Sequence, residues 1–423
     1  MVLKAFARRF PLQEMTLYRF ILPVALAAVL AAWPAMAGPV APPYEVGTWQ
    51  GFRTAAISFT FDDNCSNQYA IAVPMFNAKG LKITLFTVTS WVSDWSNVQD
   101  AAAAGHEIAS HTVTHANLGG VTAVQLTNEL LNSQTTINAQ IPGQQCVTVA
   151  YPNCVEPSDA VTATYYIGAR TCSGSIIPSS PGNFMSLSSY VCGSLGSINS
   201  LASFINTGNS AANTKGWGVF LIHGIDNDGG YSPLASATLQ ATVDYFSTNQ
   251  NRYWIQTFGN VVRYIRERNA STVTQIASND TTLTVQVTNT LNSAIYSFPI
   301  TLRRPVPTNW LAAAVSQNGQ PVGFQNFVLN TTNYVMFDVV PNGGDVVISR
   351  SVPPPVLSNP AASGSTGFNL QLNGNDGVTY EISSSSDLVS WSPVQTNTLN
   401  GSSTNLQLPA PEGQQFYRAQ WVP

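Results

Sequence analysis

The chain has 423 residues, of which only 9% are charged, and its formal net charge at pH 7 is −4. A chain of this length is expected to form more than one domain with a sizeable buried core. The mildly acidic balance gives the protein no electrostatic reason to seek nucleic acid or anionic membranes, so we predict no nucleic-acid partner.

The first 37 residues have the pattern of a secretory signal peptide. Basic residues precede an apolar run at 21–33, and Ala35 and Ala37 then offer a small-x-small cleavage site. The run is short for a transmembrane helix, so we expect a secreted, periplasmic or cell-surface protein with no stable membrane span after cleavage. A retained membrane anchor is the alternative. Cleavage would remove four of the 17 Lys and Arg and one of the 21 Asp and Glu, leaving a net charge of −7.

Short apolar runs alternate with longer stretches of helical period between about residues 52 and 268. The runs predict strands at Ala55–Phe61, Ile83–Val88, Glu107–Ser110, Cys146–Ala150, Tyr166–Arg170, Trp217–Ile222 and Tyr253–Thr257. The stretches between them predict helices at Val121–Ala139, Leu234–Thr248 and Gly259–Arg268. Strand–helix alternation with near-continuous apolar strands favours a parallel sheet covered by helices, so residues 38–268 are predicted to form an α/β barrel-like domain.

The pattern changes after residue 268, where strand-like alternation is separated by Asn, Gly and Pro turns. We predict a β-sandwich over 270–350, a stiff linker at Ser351–Pro355 and a small β module over 356–423. Neither β region contains a histidine or a cluster of carboxylates, so we predict no catalytic chemistry in them.

The four histidines all lie in the first domain, and two of them, His111 and His223, come directly after a predicted strand. Asp62 and Asp63 end the first strand, His111 follows the third, and His223 follows the strand at Trp217–Ile222. Because the carboxyl ends of parallel strands carry the reaction in barrel enzymes, we expect these side chains to meet at one edge of the sheet.

His111 and His115 are four residues apart, a spacing that on one turn of helix would let both imidazoles bind one cation. The spacing alone is more often a coincidence of core or surface histidines. A carboxylate is needed to complete three protein ligands, and Asp62-Asp63 supplies one with a second to spare. Adjacent aspartates are also common in solvated turns and helix caps, but two carboxylates that end a buried strand repel each other unless a cation or proton intervenes.

Three motifs in this order resemble the polysaccharide deacetylase family (NodB homology, carbohydrate esterase family 4) over about residues 52–268. They are Thr60-Phe61-Asp62-Asp63, Gly105-His106-Glu107-Ile108 continuing to His111 and His115, and Leu221-Ile222-His223; Thr257-Phe258-Gly259 resembles the end of that domain. The resemblance implies a distorted (β/α) barrel and a secreted enzyme that removes acetyl groups from a polysaccharide. It also implies that Asp63, His111 and His115 bind a divalent metal, zinc before other ions.

The same resemblance gives Asp62 the role of general base and His223 that of general acid. A bound cation would polarise the acetyl carbonyl and activate water, while an imidazole near its ordinary pKa could protonate the leaving group. His106 begins a strand, and we predict that it is structural.

The chain departs from the family in several places. Asn64 stands where the family usually has Gly, and Asn tolerates the left-handed backbone such a turn needs. Where the family has Arg-x-Pro-aromatic, this chain has Ala150-Tyr151-Pro152-Asn153. The backbone N–H of Asn153 could still serve an oxyanion, so Asn153 and Tyr151 are predicted oxyanion or substrate contacts. The family arginine that holds the base is missing, and Arg170 is either its substitute or a surface charge. We find no counterpart of the family's Asp/Trp motif that tunes the acid.

The five cysteines lie between Cys65 and Cys192, without a CxxC pair, which argues against a Cys-rich zinc site. Their odd number leaves at least one thiol unpaired within the chain. The active-site loops of such a barrel are neighbours, so Cys65–Cys154 is one disulfide hypothesis, and Cys172–Cys192 is another.

Three functional readings follow. The first is a hydrolase that removes acetyl groups from a polysaccharide, with N-acetyl groups favoured over O-acetyl groups. A xylan-type O-acetyl esterase is its closest alternative. A secreted, catalytically weak carbohydrate-binding protein is a second class, favoured by the absent arginine. A metalloprotease is disfavoured because no Glu directly follows His111.

Overall fold

The computed structural model of the protein describes residues 40–363, 367–409 and 414–422. The predicted signal peptide at residues 1–37 lies outside these ranges. Within them, no helix combines the length and the apolar character that a membrane crossing requires.

A parallel sheet forms the first part of the fold. After the short strand β1 (Glu45–Val46), its strands are β2 (Ala55–Asp62), β3 (Thr84–Thr87), β4 (Glu107–Ser110), β5 (Thr148–Ala150), β6 (Gly168–Arg170), β7 (Tyr190–Val191), β8 (Trp217–Ile222) and β9 (Tyr253–Ile255). The strand order is β6-β5-β4-β3-β2-β8-β7, and β9 also pairs with β2. Every one of these pairings is parallel. The predicted α/β fold with a distorted (β/α) barrel is confirmed.

Helices cover this sheet, which explains why its central strand is buried along its whole length. They are α1 (Val73–Asn77), α2 (Ser96–Ala103), α3 (Ala123–Gln140), α4 (Asp159–Thr162), α5 (Leu201–Asn213), α6 (Ser236–Thr248) and α7 (Phe258–Ala270). All eight residues of β2 are buried. Phe59 packs its ring against those of Phe76 and Phe220, with centroids 5.0 and 5.2 Å away. The strand is thus buried on both faces, as strands of α/β domains are.

Two antiparallel sheets follow the barrel and form the predicted sandwich. Their strands are β10 (Thr272–Ser278), β11 (Thr282–Thr288), β12 (Ile300–Pro305), β13 (Ala312–Gln317), β14 (Gln320–Pro321), β15 (Phe324–Leu329), β16 (Thr332–Val339) and β17 (Val346–Ser351). One sheet has the order β1-β12-β16-β15 and the other β10-β11-β17-β13-β14. Strand β1 precedes the barrel yet pairs with β12, where Glu45 also forms a 2.7 Å ion pair with Arg303. The sandwich therefore includes chain from outside the range 270–350.

A third group of strands forms a module with its own core. These strands are β18 (Val356–Ser363), β19 (Gly367–Asn373), β20 (Thr379–Ser385), β21 (Ser392–Thr398), β22 (Ser403–Pro409) and β23 (Phe416–Trp421). They pair as the sheets β18-β19-β22 and β21-β20-β23 around buried side chains that include Leu372, Tyr380 and Ile382. The two all-β modules predicted after the barrel are thus present.

Burial of Glu267 in helix α7 gives the fold a pH-dependent stability. Its side chain is fully buried, Oε2 accepts a hydrogen bond from the N–H of Phe298 at 3.1 Å, and Oε1 has no partner among the described residues. Burial raises the pKa of Glu267 from 4.5 to about 8. Between these two values the unfolded chain releases this proton while the folded chain keeps it. The free energy of unfolding therefore falls as the pH rises through that window.

Glu267→Gln keeps the shape of this side chain but removes its titration. We expect the variant to gain stability over the wild type by about 4 kcal/mol between pH 5 and pH 8.5, with less than about 1 kcal/mol of the difference present at pH 5. Thermal unfolding at both pH values measures this, and Glu156→Gln, at an exposed glutamate, is the matched control. An offset of equal size at both pH values would contradict the assignment.

Candidate active site

Three side chains converge at the carboxyl ends of the central strands. Asp63 follows β2 directly, His111 follows β4, and His115 lies in the loop beyond. Asp63 Oδ1 is 3.5 Å from His111 Nε2 and 3.4 Å from His115 Nε2, and one ligand atom from each residue lies within 4.8 Å of the others. Asp63 Oδ1 is buried and accepts no hydrogen bond from any described residue. One carboxylate oxygen and two imidazole nitrogens facing one point are a donor set that fits a divalent cation.

Left-handed backbone conformations bring these side chains together. Asp63 and Asn64 have φ values of 72° and 56°, and Thr112 and His115 have 68° and 61°. Asn64 Oδ1 accepts a hydrogen bond from the N–H of Val88 at 2.9 Å, which ties the turn after β2 to the end of β3. The turn therefore exists with Asn in place of Gly. Residues 111–115 form a loop rather than a helical turn, which corrects the geometry expected from their spacing.

A hydrogen bond and burial keep the His111 imidazole neutral, which is the form that can bind a metal ion. Its Nδ1 lies 2.8 Å from the carbonyl oxygen of Ala150, so Nδ1 carries the proton and Nε2 presents its lone pair to Asp63. Burial lowers the pKa of His111, against the raising effect of Asp62 and Asp63. His115 is more accessible and stacks against the ring of Trp91 at a centroid distance of 5.2 Å.

Asp62 lies beside this cluster and contacts Arg170. Arg170 ends β6 and is buried, and its guanidinium donates to Asp62 Oδ2 and to Ser189 Oγ at 3.2 Å. It is therefore not a surface charge, and it makes the contact with Asp62 that a substitute for the missing arginine would make. Burial alone would raise the pKa of Asp62, but the positive charge of Arg170, with smaller contributions from His111 and His223, holds it below its ordinary value. Asp62 Oδ1 has no hydrogen-bond partner among the described residues and is free to accept a proton.

His223 stands on the other side of Asp63. Its Nε2 is 3.9 Å from Asp63 Oδ2, its side chain is 13% exposed, and its ring meets that of Tyr231 edge-on at 5.0 Å. Burial lowers the pKa of His223. A protonated imidazole here would release its proton readily, which is what a general acid does.

The two predicted oxyanion residues, Asn153 and Tyr151, lie in different environments. Asn153 is exposed, with φ 53°, in the loop after β5. Tyr151 is buried, and its hydroxyl donates to the carbonyl oxygen of Met185 at 2.9 Å. Its side chain therefore packs in the core rather than facing a substrate, which corrects that part of the prediction.

Both disulfide hypotheses are wrong. Cys154 pairs with Cys172, with a Cα–Cα distance of 5.7 Å, and Cys65, Cys146 and Cys192 are free thiols. The reason lies in the sheet order: β5 and β6 are neighbours, and one of the two bonded cysteines follows each of them. Burial, with the nearby carboxylates of Asp228, Asp63 and Asp62, raises the pKa of the Cys65 thiol to about 12.

His106 has the structural role predicted for it. It lies at the amino end of β4, away from the cluster, where its Nδ1 accepts a hydrogen bond from the N–H of Ile83 at 3.1 Å. Burial lowers the pKa of His106 to about 4, so the ring stays neutral.

Gln68 is a contributor that the sequence did not reveal. Its side-chain amide donates to the carbonyl oxygens of Asp62 and His223, and so joins the ends of β2 and β8. A lone Gln six residues after the end of a strand carries no recognisable signal. Only the fold shows that it bridges two site residues.

The chain is similar to known proteins over parts of its length. Residues 51–172 match the family model described as polysaccharide deacetylase. A gellan lyase of Bacillus sp is 28% identical over 338 residues, covering 75% of this chain and 13% of the lyase. YxkH of Bacillus subtilis (strain 168), provisionally named a polysaccharide deacetylase, is 28% identical over 101 residues, covering 23% of this chain and 36% of YxkH. The chain thus matches only a minor part of the length of either relative.

Among solved structures, the chain is similar to the Xyl-CE4 domain of a multidomain xylanase from the hindgut metagenome of Trinervitermes trinervoides. The two are 19% identical, with a TM-score of 0.36, over 49% of this chain and 89% of that domain. The resemblance to the polysaccharide deacetylase family, drawn from the motifs, is confirmed by the family match.

Proposed function

We propose, from the match of residues 51–172 to the polysaccharide deacetylase family, that the protein is a metal-dependent hydrolase that removes acetyl groups from a polysaccharide. N-acetyl groups are the favoured substrate, and O-acetyl groups are the alternative. The observation that carries this proposal is the convergence of Asp63, His111 and His115, with Asp62 and His223 on either side. A carbohydrate-binding protein has no need of a cation site flanked by both a base and an acid.

The cation is proposed to be zinc, held by Asp63, His111 and His115. When bound it would polarise the acyl carbonyl and lower the pKa of a water molecule. Asp62 is ionised, and its free Oδ1 is the acceptor for the proton that water gives up during attack. Arg170 keeps Asp62 charged and fixes its orientation. His223 gives a proton to the departing amine or alkoxide, and the backbone N–H of Asn153 is proposed to stabilise the oxyanion.

Two further features support the substrate class and the location. The gellan lyase relative is named for a polysaccharide, which supports a polysaccharide as the substrate of this chain as well. The basic and apolar leader pattern supports action outside the cytoplasm.

Acetate release from a panel of acetylated glycans tests the proposal. We expect release from N-acetylated chito-oligosaccharides, loss of activity after chelation, and recovery on addition of zinc. Acetylated xylan in the same panel separates the N-acetyl from the O-acetyl reading. If no substrate releases acetate while the cation is bound, the hydrolase proposal fails and the carbohydrate-binding reading takes its place.

A further inference from the structure

The disulfide between Cys154 and Cys172 joins two loops that both begin at the candidate active site. Cys154 lies in the loop after β5, and Cys172 lies two residues beyond Arg170, the last residue of β6. Ala150, the last residue of β5, accepts the hydrogen bond of the His111 imidazole at 2.8 Å, and Arg170 contacts the proposed base. The cross-link therefore ties together the chain segments that leave these two strand ends.

The turn that contains Cys154 has an unusual backbone. Asn153 and Cys154 have φ values of 53° and 58°, so two successive residues other than glycine occupy the left-handed region. Asn tolerates this region better than most residues, whereas Cys has no such preference. The N–H of Cys154 donates to the carbonyl oxygen of Tyr151 at 3.0 Å, and that of Val155 donates to Pro152 at 3.2 Å. Sparsely populated conformations of this kind persist only where the surrounding structure holds them.

The main-chain N–H of Asn153 points out of this turn without an acceptor among the described residues. Such a group is available to an oxygen of the substrate. If the turn relaxed, the peptide planes beside Asn153 would rotate and the N–H would change direction. The bond from Cys154 to Cys172 opposes this from a segment that is itself fixed, because the N–H of Thr171 donates to the carbonyl oxygen of Leu187 at 2.7 Å.

We propose that the Cys154–Cys172 disulfide positions the N–H of Asn153 for the oxyanion of the reaction. Both cysteines are positioning residues, which act through the backbone and do not touch the substrate. This inference rests on the proposed function, which gives the N–H of Asn153 its role. It also explains how this chain manages without the aromatic residue of the family motif: the side chain of Asn153 is exposed and cannot hold the turn by packing, so a covalent bond to the neighbouring strand end holds it.

Cys154→Ser/Cys172→Ser removes the bond, and acetate release measures the effect. We expect kcat to fall about tenfold, with KM and zinc affinity within about twofold, because an oxyanion contact is made only in the transition state. Cys154→Gly/Cys172→Ser also lacks the bond, but glycine enters the left-handed region without steric cost, so its kcat should be about threefold higher than that of the serine pair. Thr122→Ala, which removes the cap of helix α3, lowers stability away from the site and should leave kcat unchanged.

An unchanged kcat in the serine pair, measured where the protein is folded, would overturn the positioning role and leave the bond a stabilising one. A parallel loss of zinc affinity would also overturn it, since the bond would then hold the whole site. So would a glycine variant no faster than the serine pair. If the serine pair does not fold, folded wild type in which a phosphine has reduced this bond takes its place, and equal kcat before and after reduction would contradict the proposal.

Amide hydrogen exchange separates this inference from the proposed function. If the wild type releases no acetate from any glycan, the proposed function fails, but the turn can still be followed. We expect the N–H groups of Cys154 and Val155 to exchange about tenfold faster in the serine pair, while those of β5 and β6 keep their protection. Unchanged exchange in the turn would show that the bond does not hold it. Equal acceleration in the strands would show a general loss of structure and would overturn the proposal as well.

Discussion

Asp62→Asn is expected to lower kcat for acetate release by about 10²- to 10⁴-fold while the affinity for the cation stays within about twofold. An amide cannot take the proton that the attacking water must lose. Asp62 Oδ2 is already occupied by Arg170, so this residue is not needed to hold the cation. The side chain keeps nearly the same size, and the effect should therefore lie in kcat rather than in folding.

Asp63→Asn is the matched control, because it makes the same change one residue along the chain. Asp63 Oδ1 faces both His111 and His115, so its loss should weaken cation binding first and activity as a consequence. Cation affinity by calorimetry and kcat measured at saturating zinc separate the two variants. If Asp62→Asn also released the cation, or if excess zinc restored its activity, the division of roles between the adjacent aspartates would be wrong.

The strands that carry the site could be predicted from the sequence because they are buried on both faces. Such strands are near-continuous apolar runs, and the predicted ranges of β4 and β8 agree with the structure residue for residue. Once parallel pairing is assumed, the residues that follow each strand must share one edge of the sheet. The sequence alone therefore predicts that Asp62, Asp63, His111 and His223 lie together.

Features that depend on contacts between distant segments could not be predicted. Whether Arg170 was buried or exposed is decided by what packs over β6, and the pairing of Cys154 with Cys172 is decided by the order of β5 and β6. Helix α5 was missed because its polar Ser, Thr and Asn content resembles a loop; its start is held by a capping box between Ser200 and Ser203. Strand β1 cannot be recognised in the sequence, because two residues are too few to show the alternation of a strand and their partner strand lies more than 250 positions away.

Arg170→Met is expected to lower the free energy of unfolding by about 3–5 kcal/mol at neutral pH, measured with a chelator present. The variant leaves the Asp62 carboxylate buried without the charge that now compensates it. Methionine retains much of the volume beside Phe86, whose ring lies 5.1 Å from the guanidinium carbon, so lost packing contributes little. Arg303→Met is the matched control: it breaks an ion pair of the same kind with Glu45, but at the surface, where about 0–1 kcal/mol is expected.

The double variant Arg170→Met/Asp62→Asn distinguishes a charge effect from a general loss of packing. If the instability of Arg170→Met comes from an uncompensated carboxylate, replacing that carboxylate by an amide removes the cause, and most of the lost stability should return. Activity should not return, because the proton acceptor is still missing. If the changes in the free energy of unfolding caused by the two substitutions simply add, Arg170 stabilises the barrel independently of Asp62. Recovery of stability would show that this buried arginine serves the fold by compensating the charge of Asp62, through the same contact that holds the pKa of Asp62 low.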